Sequence, residues 1–429
     1  MKIYLFIWFW LLTCFAFISG LNAETEPSLE CGQASYFQWK MLRGLDTEWK
    51  GWKIHLGGQL TVDAIAYDKD NKKDSGLRWE TVNLRITGRY GNKFHFYIEP
   101  DLLGIDTKDN LYEAWAGWDI TPALQVKVGQ IRVALNSEFA TPPEHFPSID
   151  YGFSSYLDGR YDLGLQVDGS LWGSTIWYQG TATAGQGFDL DGNRKSDPQG
   201  SIRAVVFPMQ GLGYNLLKGG FLGLGFAWSP DYDDEIFLQT PLRSTVFTTE
   251  NLDGDSARWI HAEFGWYWGA FRLGAERVNG EIRDVKVGNA IPQDFDQLTS
   301  WSAYASWNIT GERVRWERGR WLPPMLNGGP EDKKQIFDFL KILDPLGCLE
   351  VAFRYSNADI DRGLFDSGVT TYNPSTQEVR TATLNLNWYP QPGLKVTAGW
   401  VKTIADHELS TLGGTDRDSS FILRMSLAL

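Results

Sequence analysis

The last twelve residues of the chain, DSSFILRMSLAL (418–429), carry its clearest structural pattern. Apolar residues stand at every second position from 421 to 429, and Arg424 and Ser426 are among the residues between them. Because successive side chains of a β-strand point to opposite faces, this spacing predicts a strand with one apolar face and one mixed face. A single such strand fits a soluble β-sandwich as well as a membrane barrel, so the rest of the chain has to separate the two.

The same alternation recurs along most of the chain, as in VNLRITGRY (82–90), TATLNLNWY (381–389) and LKVTAGW (394–400). Short spacers such as GNK (91–93) and PQPG (390–393) alternate with long loops that are rich in acids, glycine and proline. Short turns at one end and long loops at the other are typical of outer-membrane β-barrels. Many of the 20 Trp, 24 Phe and 17 Tyr residues stand near predicted strand ends, where the membrane interfaces favour them.

These segments predict an all-β fold, a transmembrane antiparallel β-barrel of about sixteen strands. An even strand number places both chain ends on the periplasmic side, and sixteen strands leave a water-filled channel. Two other classes stay open on the residues alone. One is a soluble exported β-sheet binding protein, and the other is an outer-membrane enzyme, although the sequence has no GxSxG or HExxH spacing. We expect no cofactor, no metal site and no catalytic residues.

The N-terminal residues indicate that the protein is exported from the cytoplasm. Residues 1–23 have the layout of a secretory signal peptide, with Lys2, a short apolar run and Ala23 before the expected cleavage point. We expect residues 24–50 to form a periplasmic N-terminal segment and residues 51–429 to form the barrel. The net charge of −13 argues against nucleic acid as a partner. The expected partners are outer-membrane lipid, small ions and small solutes.

Five segments, in this order, resemble the phosphate-selective porins O and P: VGQIRVALNSEF (128–139), YDLGLQVDGSL (161–171), WNITGERVRWE (307–317), GCLEVAFRYSNADI (347–360) and LNLNWYPQPGLKV (384–396). The resemblance implies a sixteen-stranded, homotrimeric outer-membrane porin whose third extracellular loop folds inward and narrows the pore. It further implies a passive diffusion channel for ions and small hydrophilic solutes, with phosphate or other anions among them, and no enzymatic activity.

The loop that would narrow the pore is residues 134–159, which is long for an irregular segment without a function. We predict that the constriction carries Glu138, Glu144, His145, Asp150, Asp158 and Arg160. Acids outnumber bases in this set, so the sequence predicts a slight preference for cations or no strong preference.

Three further features concern the inside and the periplasmic side of the barrel. Residues 310–346 interrupt the β pattern, and strand parity predicts that they form a periplasmic insert. Cys31 and Cys348 both fall at the predicted periplasmic side, where a disulfide between them and two free thiols are both open. The bases predicted to line the lumen are Lys53, Arg85, Arg89, Lys127, Arg354, Lys395 and Arg424.

Overall fold

The structure, a computed structural model, describes residues 38–39, 44–69, 71–103, 111–158, 160–185, 198–212, 216–287, 291–324, 326, 343 and 346–429. The predicted signal peptide and Cys31 lie outside these residues, so signal cleavage and the predicted disulfide stay predictions. Cys348 is buried and forms no disulfide within the described ranges. No helix in the part of the chain that the structure describes is long and apolar enough to cross a membrane.

Sixteen strands form the wall of the molecule, which is the number that the sequence predicts. They are β1 Trp52–Ala66, β2 Gly76–Tyr90, β3 Phe94–Pro100, β4 Leu111–Thr121, β5 Leu124–Val133, β6 Arg160–Leu171, β7 Ile176–Thr183, β8 Gln199–Val206, β9 Gly220–Ser229, β10 Ser256–Trp268, β11 Phe271–Val285, β12 Gln293–Asn308, β13 Cys348–Asp359, β14 Glu378–Gln391, β15 Leu394–Leu409 and β16 Thr415–Ala428.

The sheet closes on itself. Each of these strands pairs antiparallel with the next one along the chain, and β16 pairs with β1. Across this closing seam Phe421 lies opposite Ala66, and Ala428 lies opposite Gln59. Closure pairs the backbone N–H and C=O groups that an open edge would expose, which a barrel in lipid requires. The predicted fold, a closed sixteen-stranded antiparallel β-barrel, is confirmed.

The two faces of the wall differ as the alternation predicts. On β9, Leu222 and Leu224 are 57% and 67% exposed, whereas Phe221, the residue before Leu222 on the same strand, is buried. The closing strand follows the same rule, since Phe421 is 63% exposed and Arg424 is buried. The outward-pointing side chains are therefore mainly apolar, whereas the inward-pointing ones include polar residues such as Arg424 and apolar residues such as Phe221.

The connections are unequal at the two ends of the barrel. At one end, which we call the short-turn end, several strands are joined by turns at 91–93, 122–123, 172–175, 269–270 and 392–393. Long loops join strands at the other end. Some of these loops pack together over a buried apolar cluster that includes Phe153, Leu157, Leu238, Phe247, Leu364 and Leu412.

A short strand precedes the barrel and joins its sheet. Leu45–Trp49 pairs antiparallel with the first residues of β1, and Gln38–Trp39 pairs with it in turn. Lys50 and Gly51 connect it to β1 with φ angles of 48° and 84°, the left-handed conformations of a type I′ hairpin turn. Part of the segment predicted to precede the barrel is thus part of the wall.

This short strand lies in line with the end of β16. Leu45 is opposite Leu56 on β1, and Leu429 exchanges backbone hydrogen bonds with Gly58, two residues further along β1. Leu45–Trp49 therefore occupies the edge of β1 that β16 leaves free.

Candidate pore and constriction loop

The connection between β5 and β6, residues 134–159, is packed against the inner wall of the barrel, and we call it the constriction loop. It contains two short helices, Ser137–Ala140 and Phe153–Asp158. Asn136 caps the first helix, because its side-chain oxygen accepts the backbone N–H of Phe139 at 2.6 Å. The contacts of this loop decide which parts of the barrel interior stay open.

Wall carboxylates hold the first helix of the constriction loop. The backbone N–H of Ser137 donates to Glu263 on β10 at 2.9 Å, and that of Glu138 donates to Glu276 on β11 at 3.1 Å. The Glu138 carboxylate pairs with Arg354 on β13 at 2.7 Å, and both side chains are almost fully buried. Glu138 therefore faces the wall.

Three more of the predicted lumen bases hold the middle of the constriction loop. Arg85 on β2 pairs with Glu144 at 2.9 Å. Lys395 on β15 and Arg424 on β16 donate to loop carbonyls at 2.6 Å and 2.5 Å. These bases lie inside the barrel, and they bind the constriction loop through its carboxylate and carbonyl oxygens.

Asp150 is held by a second long loop, residues 230–255. Arg243 of that loop lies 3.4 Å from the Asp150 carboxylate and 2.7 Å from Glu80 on β2. Arg243 has a φ of 58°, a left-handed conformation that costs energy for a residue with a side chain. Asp150 also accepts the hydroxyl of Tyr156 at 3.0 Å. The three acids of the constriction loop that the structure describes are thus all paired.

Burial and charge set the protonation of two neighbouring loop residues. Burial raises the pKa of the Glu144 carboxyl, but the attraction of the Arg85 guanidinium, together with His145 and hydrogen bonds to the carboxylate, outweighs burial and brings the pKa to about 2. Burial lowers the pKa of His145 to about 4, with Glu144 opposing this shift and Arg320 and Arg85 adding to it. At neutral pH Glu144 is ionised and His145 is uncharged.

The other predicted residues lie apart from this cluster. Arg160, at the start of β6, donates to a wall glutamine at 2.5 Å. Arg89 pairs with Asp119 at 2.6 Å, and Lys53 is exposed. The side chain of Asp158 lies outside what the structure describes. The roles assigned from the sequence to the constriction and lumen residues stay predictions.

The insert between β12 and β13 contributes a hairpin. Its strands are Arg315–Glu317 and Arg320–Leu322, and its turn, Arg318–Gly319, has φ angles of 48° and 83°. Both angles are left-handed, as a two-residue type I′ turn requires, and Gly319 adopts such a conformation without steric cost. We call residues 315–322 the insert hairpin.

Two tryptophans anchor the insert hairpin inside the barrel. Trp321 is fully buried, packs on Phe221 of β9 and donates its indole N–H to the hydroxyl of Tyr304 on β12 at 2.7 Å. The indole N–H of Trp316 donates to the Ser137 hydroxyl at 3.0 Å. The insert hairpin and the constriction loop therefore meet inside the barrel.

The space that remains open runs between the wall of β3–β7, the constriction loop and the insert hairpin. A cavity of about 300 Å³ there is lined by His95, Tyr97, Glu113, Trp115, Gln125, Lys127, Ile131, Arg132, Ala134, Ala140, Pro142, Gln166, Asp168, Trp177, Gln179, Arg318 and Arg320. A second cavity of about 360 Å³ shares Gln125, Asp168, Trp177 and Arg318 with the first and extends it to the turns at the short-turn end. We call the two cavities together the passage.

The first cavity of the passage has a surplus of positive charge. Each of its two acids is paired with a base of the wall, in the pairs Arg132–Glu113 at 3.3 Å and Lys127–Asp168 at 3.6 Å. Arg318 and Arg320 of the insert hairpin are exposed and have no ion-pair partner in the described part of the chain. The surplus therefore comes from the insert hairpin.

Reasoning from the sequence missed most of the charges in this cavity. Of the predicted lumen bases, Lys127 lines it, and four others bind the constriction loop. Arg132 was missed because strict alternation places only one of two successive residues inside, whereas Ile131 and Arg132 both line the cavity. The turn residues of the insert hairpin carry a local signal, Arg-Gly between two Trp-containing segments, but nothing in it indicates that the hairpin enters the barrel.

A model of the family described as phosphate-selective porin O and P matches residues 53–428, which is nearly the whole barrel. The chain belongs to the phosphate-selective porin O and P family. Porin O of Pseudomonas aeruginosa is 22% identical over 422 residues, which cover 88% of each chain. With this family and a closed barrel, the protein is an outer-membrane porin, a channel through the outer membrane.

Solved structures with the same fold are also porin-like barrels. The outer-membrane channel DcaP of Acinetobacter baumannii is 12% identical with a TM-score of 0.53, covering 88% of this chain and 98% of that chain. OprB of Pseudomonas putida is 14% identical with a TM-score of 0.51, covering 89% and 94%. At these identities the likeness concerns the barrel fold alone.

Proposed function

We propose that this porin passes small anions in preference to cations. The observation that carries the proposal is the pair Arg318 and Arg320, exposed in the first cavity of the passage and without an ion-pair partner among the residues that the structure describes. Fixed charges at the narrow part of a pore attract ions of the opposite sign and repel ions of the same sign. In a narrow, partly desolvated passage such charges act more strongly than they do in bulk water.

The acids of the constriction loop do not oppose this preference. Glu138, Glu144 and Asp150 are buried, and each lies within 3.4 Å of an arginine nitrogen. A paired, buried carboxylate presents little field to an ion in the passage, because its partner cancels most of its charge. The slight cation preference expected from loop composition is therefore replaced here by an anion preference.

Phosphate is the first anion to test. The family carries phosphate selectivity in its description, and Porin O of Pseudomonas aeruginosa is a relative over most of the chain. We propose that the protein is a channel and not an enzyme, which its family and fold support. We further propose a homotrimer, as the family resemblance implies, and by strand parity we propose that the insert enters the barrel from the periplasmic end.

Reversal potentials across planar bilayers in a KCl gradient test the anion preference. We expect the native protein to give a potential on the anion-selective side of zero. The double variant Arg318→Gln/Arg320→Gln removes both unpaired charges, and we expect its potential to move toward zero or to the cation side. Arg313→Gln is the matched control, because Arg313 belongs to the same insert, is exposed and does not line the passage.

Two results would contradict the proposal. One is a native protein that prefers cations or shows no preference. The other is a double variant whose reversal potential equals that of Arg313→Gln, since the insert hairpin would then not supply the selecting charge.

A further inference from the structure

The wall of the passage carries aromatic rings next to its charges. Tyr97 on β3 and Trp115 on β4 are direct cross-strand neighbours, with ring centroids 5.7 Å apart and planes 11° from parallel. The indole N–H of Trp115 donates to Glu113 at 2.8 Å, which fixes its ring. His95 meets the same indole edge-on at 5.3 Å. Together these side chains form a rigid aromatic surface on one side of the first cavity.

The same cavity also has aliphatic lining. Ala140 and Pro142 of the constriction loop and Ile131 of β5 contribute to it. Arg318 and Arg320 line the same cavity from the insert hairpin. The first cavity thus combines aromatic and aliphatic side chains with a concentrated positive charge.

A bare inorganic anion makes no use of this aromatic surface. An inorganic phosphate has no apolar surface to bury against these rings, so contact with them does not offset its loss of hydration. Flat organic rings gain from stacked or edge-to-face contact with Tyr and Trp. Sites that hold small organic molecules are typically about 300 to 1,000 Å³, mostly apolar with a few placed polar groups. The first cavity, at about 300 Å³, lies at the lower end of that range.

We infer that the passage favours organic anions in which a phosphate or carboxylate group is joined to a flat ring. The ring contacts Tyr97 and Trp115, and the acidic group lies toward Arg318 and Arg320. This inference rests on the proposed anion preference and narrows it from small anions in general to ring-bearing ones. In this inference the aromatic surface helps to select the solute. Attraction of anions by the arginines alone would not need that surface.

Block of the chloride current by two phosphate monoesters of equal charge tests the inference. Phenyl phosphate carries a flat ring and ethyl phosphate does not. We expect the half-blocking concentration of phenyl phosphate to be about twofold to tenfold lower, the range that aromatic contact energies give. Trp115→Leu keeps an apolar side chain and should abolish the difference. Trp118→Leu, on the outer face of the same strand, should leave it unchanged.

The outcomes separate this inference from the proposed function. If the native protein prefers anions but phenyl and ethyl phosphate block equally, the ring preference is wrong and the anion preference stands. If the native protein shows no anion preference, both are wrong. If Trp115→Leu does not assemble, the comparison of the two phosphates on the native protein still decides, and Tyr97→Leu provides a second variant of the same surface.

Discussion

Glu138 and Arg354 are far apart in the chain, yet they form a buried ion pair with 2.7 Å between nitrogen and oxygen. Arg354 also donates to the backbone carbonyl of Asp150, so one side chain joins two parts of the constriction loop to β13. Buried ion pairs add modestly to stability when complete, but removing one partner leaves an uncompensated charge. The attachment of the constriction loop therefore depends strongly on single residues.

Replacing Glu138 by Leu should leave Arg354 charged and unpaired inside the wall. We expect a loss of about 3 to 5 kcal/mol from the docked state of the loop. The measurement is the temperature at which the folded band converts to the unfolded band on a detergent gel, which should fall.

The double variant Glu138→Leu/Arg354→Met provides the control for this prediction. Replacing both partners of a buried pair by apolar residues is often nearly neutral. The double variant should therefore recover most of the lost stability. A double variant as unstable as the single one would show that Glu138 does not act through Arg354.

At the scale of elements, the constriction loop should loosen as the pH falls. The pKa of His145 is lowered from 6.5 to about 4 when the loop is docked, so docking favours the neutral imidazole. That contribution is fully present above pH 6.5 and is lost as the pH falls from 6.5 to 4. The Glu144 carboxyl, lowered from 4.5 to about 2, loses its contribution only below pH 4.5.

Open-channel current noise reports the loosening of the constriction loop. We expect the noise to rise between pH 6.5 and pH 4, and His145→Gln, which cannot be protonated, should remove this rise. His55→Gln serves as control because His55 lies near the short-turn end, where it pairs with Asp46 at 2.8 Å. Equal noise in both variants across that pH range would assign the effect to other groups.

The insert hairpin should detach when its main anchor is removed. Trp321 is fully buried, and replacing a buried tryptophan by alanine costs about 3 to 5 kcal/mol. A two-stranded hairpin has little stability of its own. In Trp321→Ala we therefore expect a higher single-channel conductance together with a weaker anion preference, both measured in planar bilayers.

Trp228→Ala is the control for the hairpin prediction, because Trp228 lies on the outer face of β9 and is 45% exposed. A rise in conductance without a change in selectivity would show that the insert hairpin narrows the passage but does not supply the charge that selects anions. No change in either quantity would show that Trp321 does not anchor the hairpin.

The strands could be predicted from the sequence because alternation is a local property. Every second residue of a membrane-spanning strand faces lipid, so the pattern that identifies a strand is complete within about ten residues. The contacts inside the barrel are not local. Glu138 meets a base on β13, and Trp316 meets the constriction loop. No periodicity records such contacts, so the sequence does not show which acids of the constriction loop are paired with bases of the wall.

At the scale of the whole molecule, two elements from different parts of the chain narrow the barrel together. The constriction loop follows β5 and the insert hairpin follows β12, and Trp316 and Ser137 join them in the middle. Neither element alone bounds the passage, because the first cavity is lined by both of them and by the wall. A change in either element should therefore alter the passage of a solute that contacts the other element.

The position of the strand Leu45–Trp49 determines where a tag can be added to this protein. It fills the edge of β1 beyond Leu429, and at Gly57 a Cβ atom would lie 2.0 Å from the Leu429 carbonyl oxygen. The last strand thus ends against an occupied edge, and residues appended to it must leave the sheet at once. A purification tag fused to the C-terminus would disturb the pairing of β16 with β1, which closes the barrel. The connection between β11 and β12, where Ile291 is 85% exposed, is the safer place for an epitope.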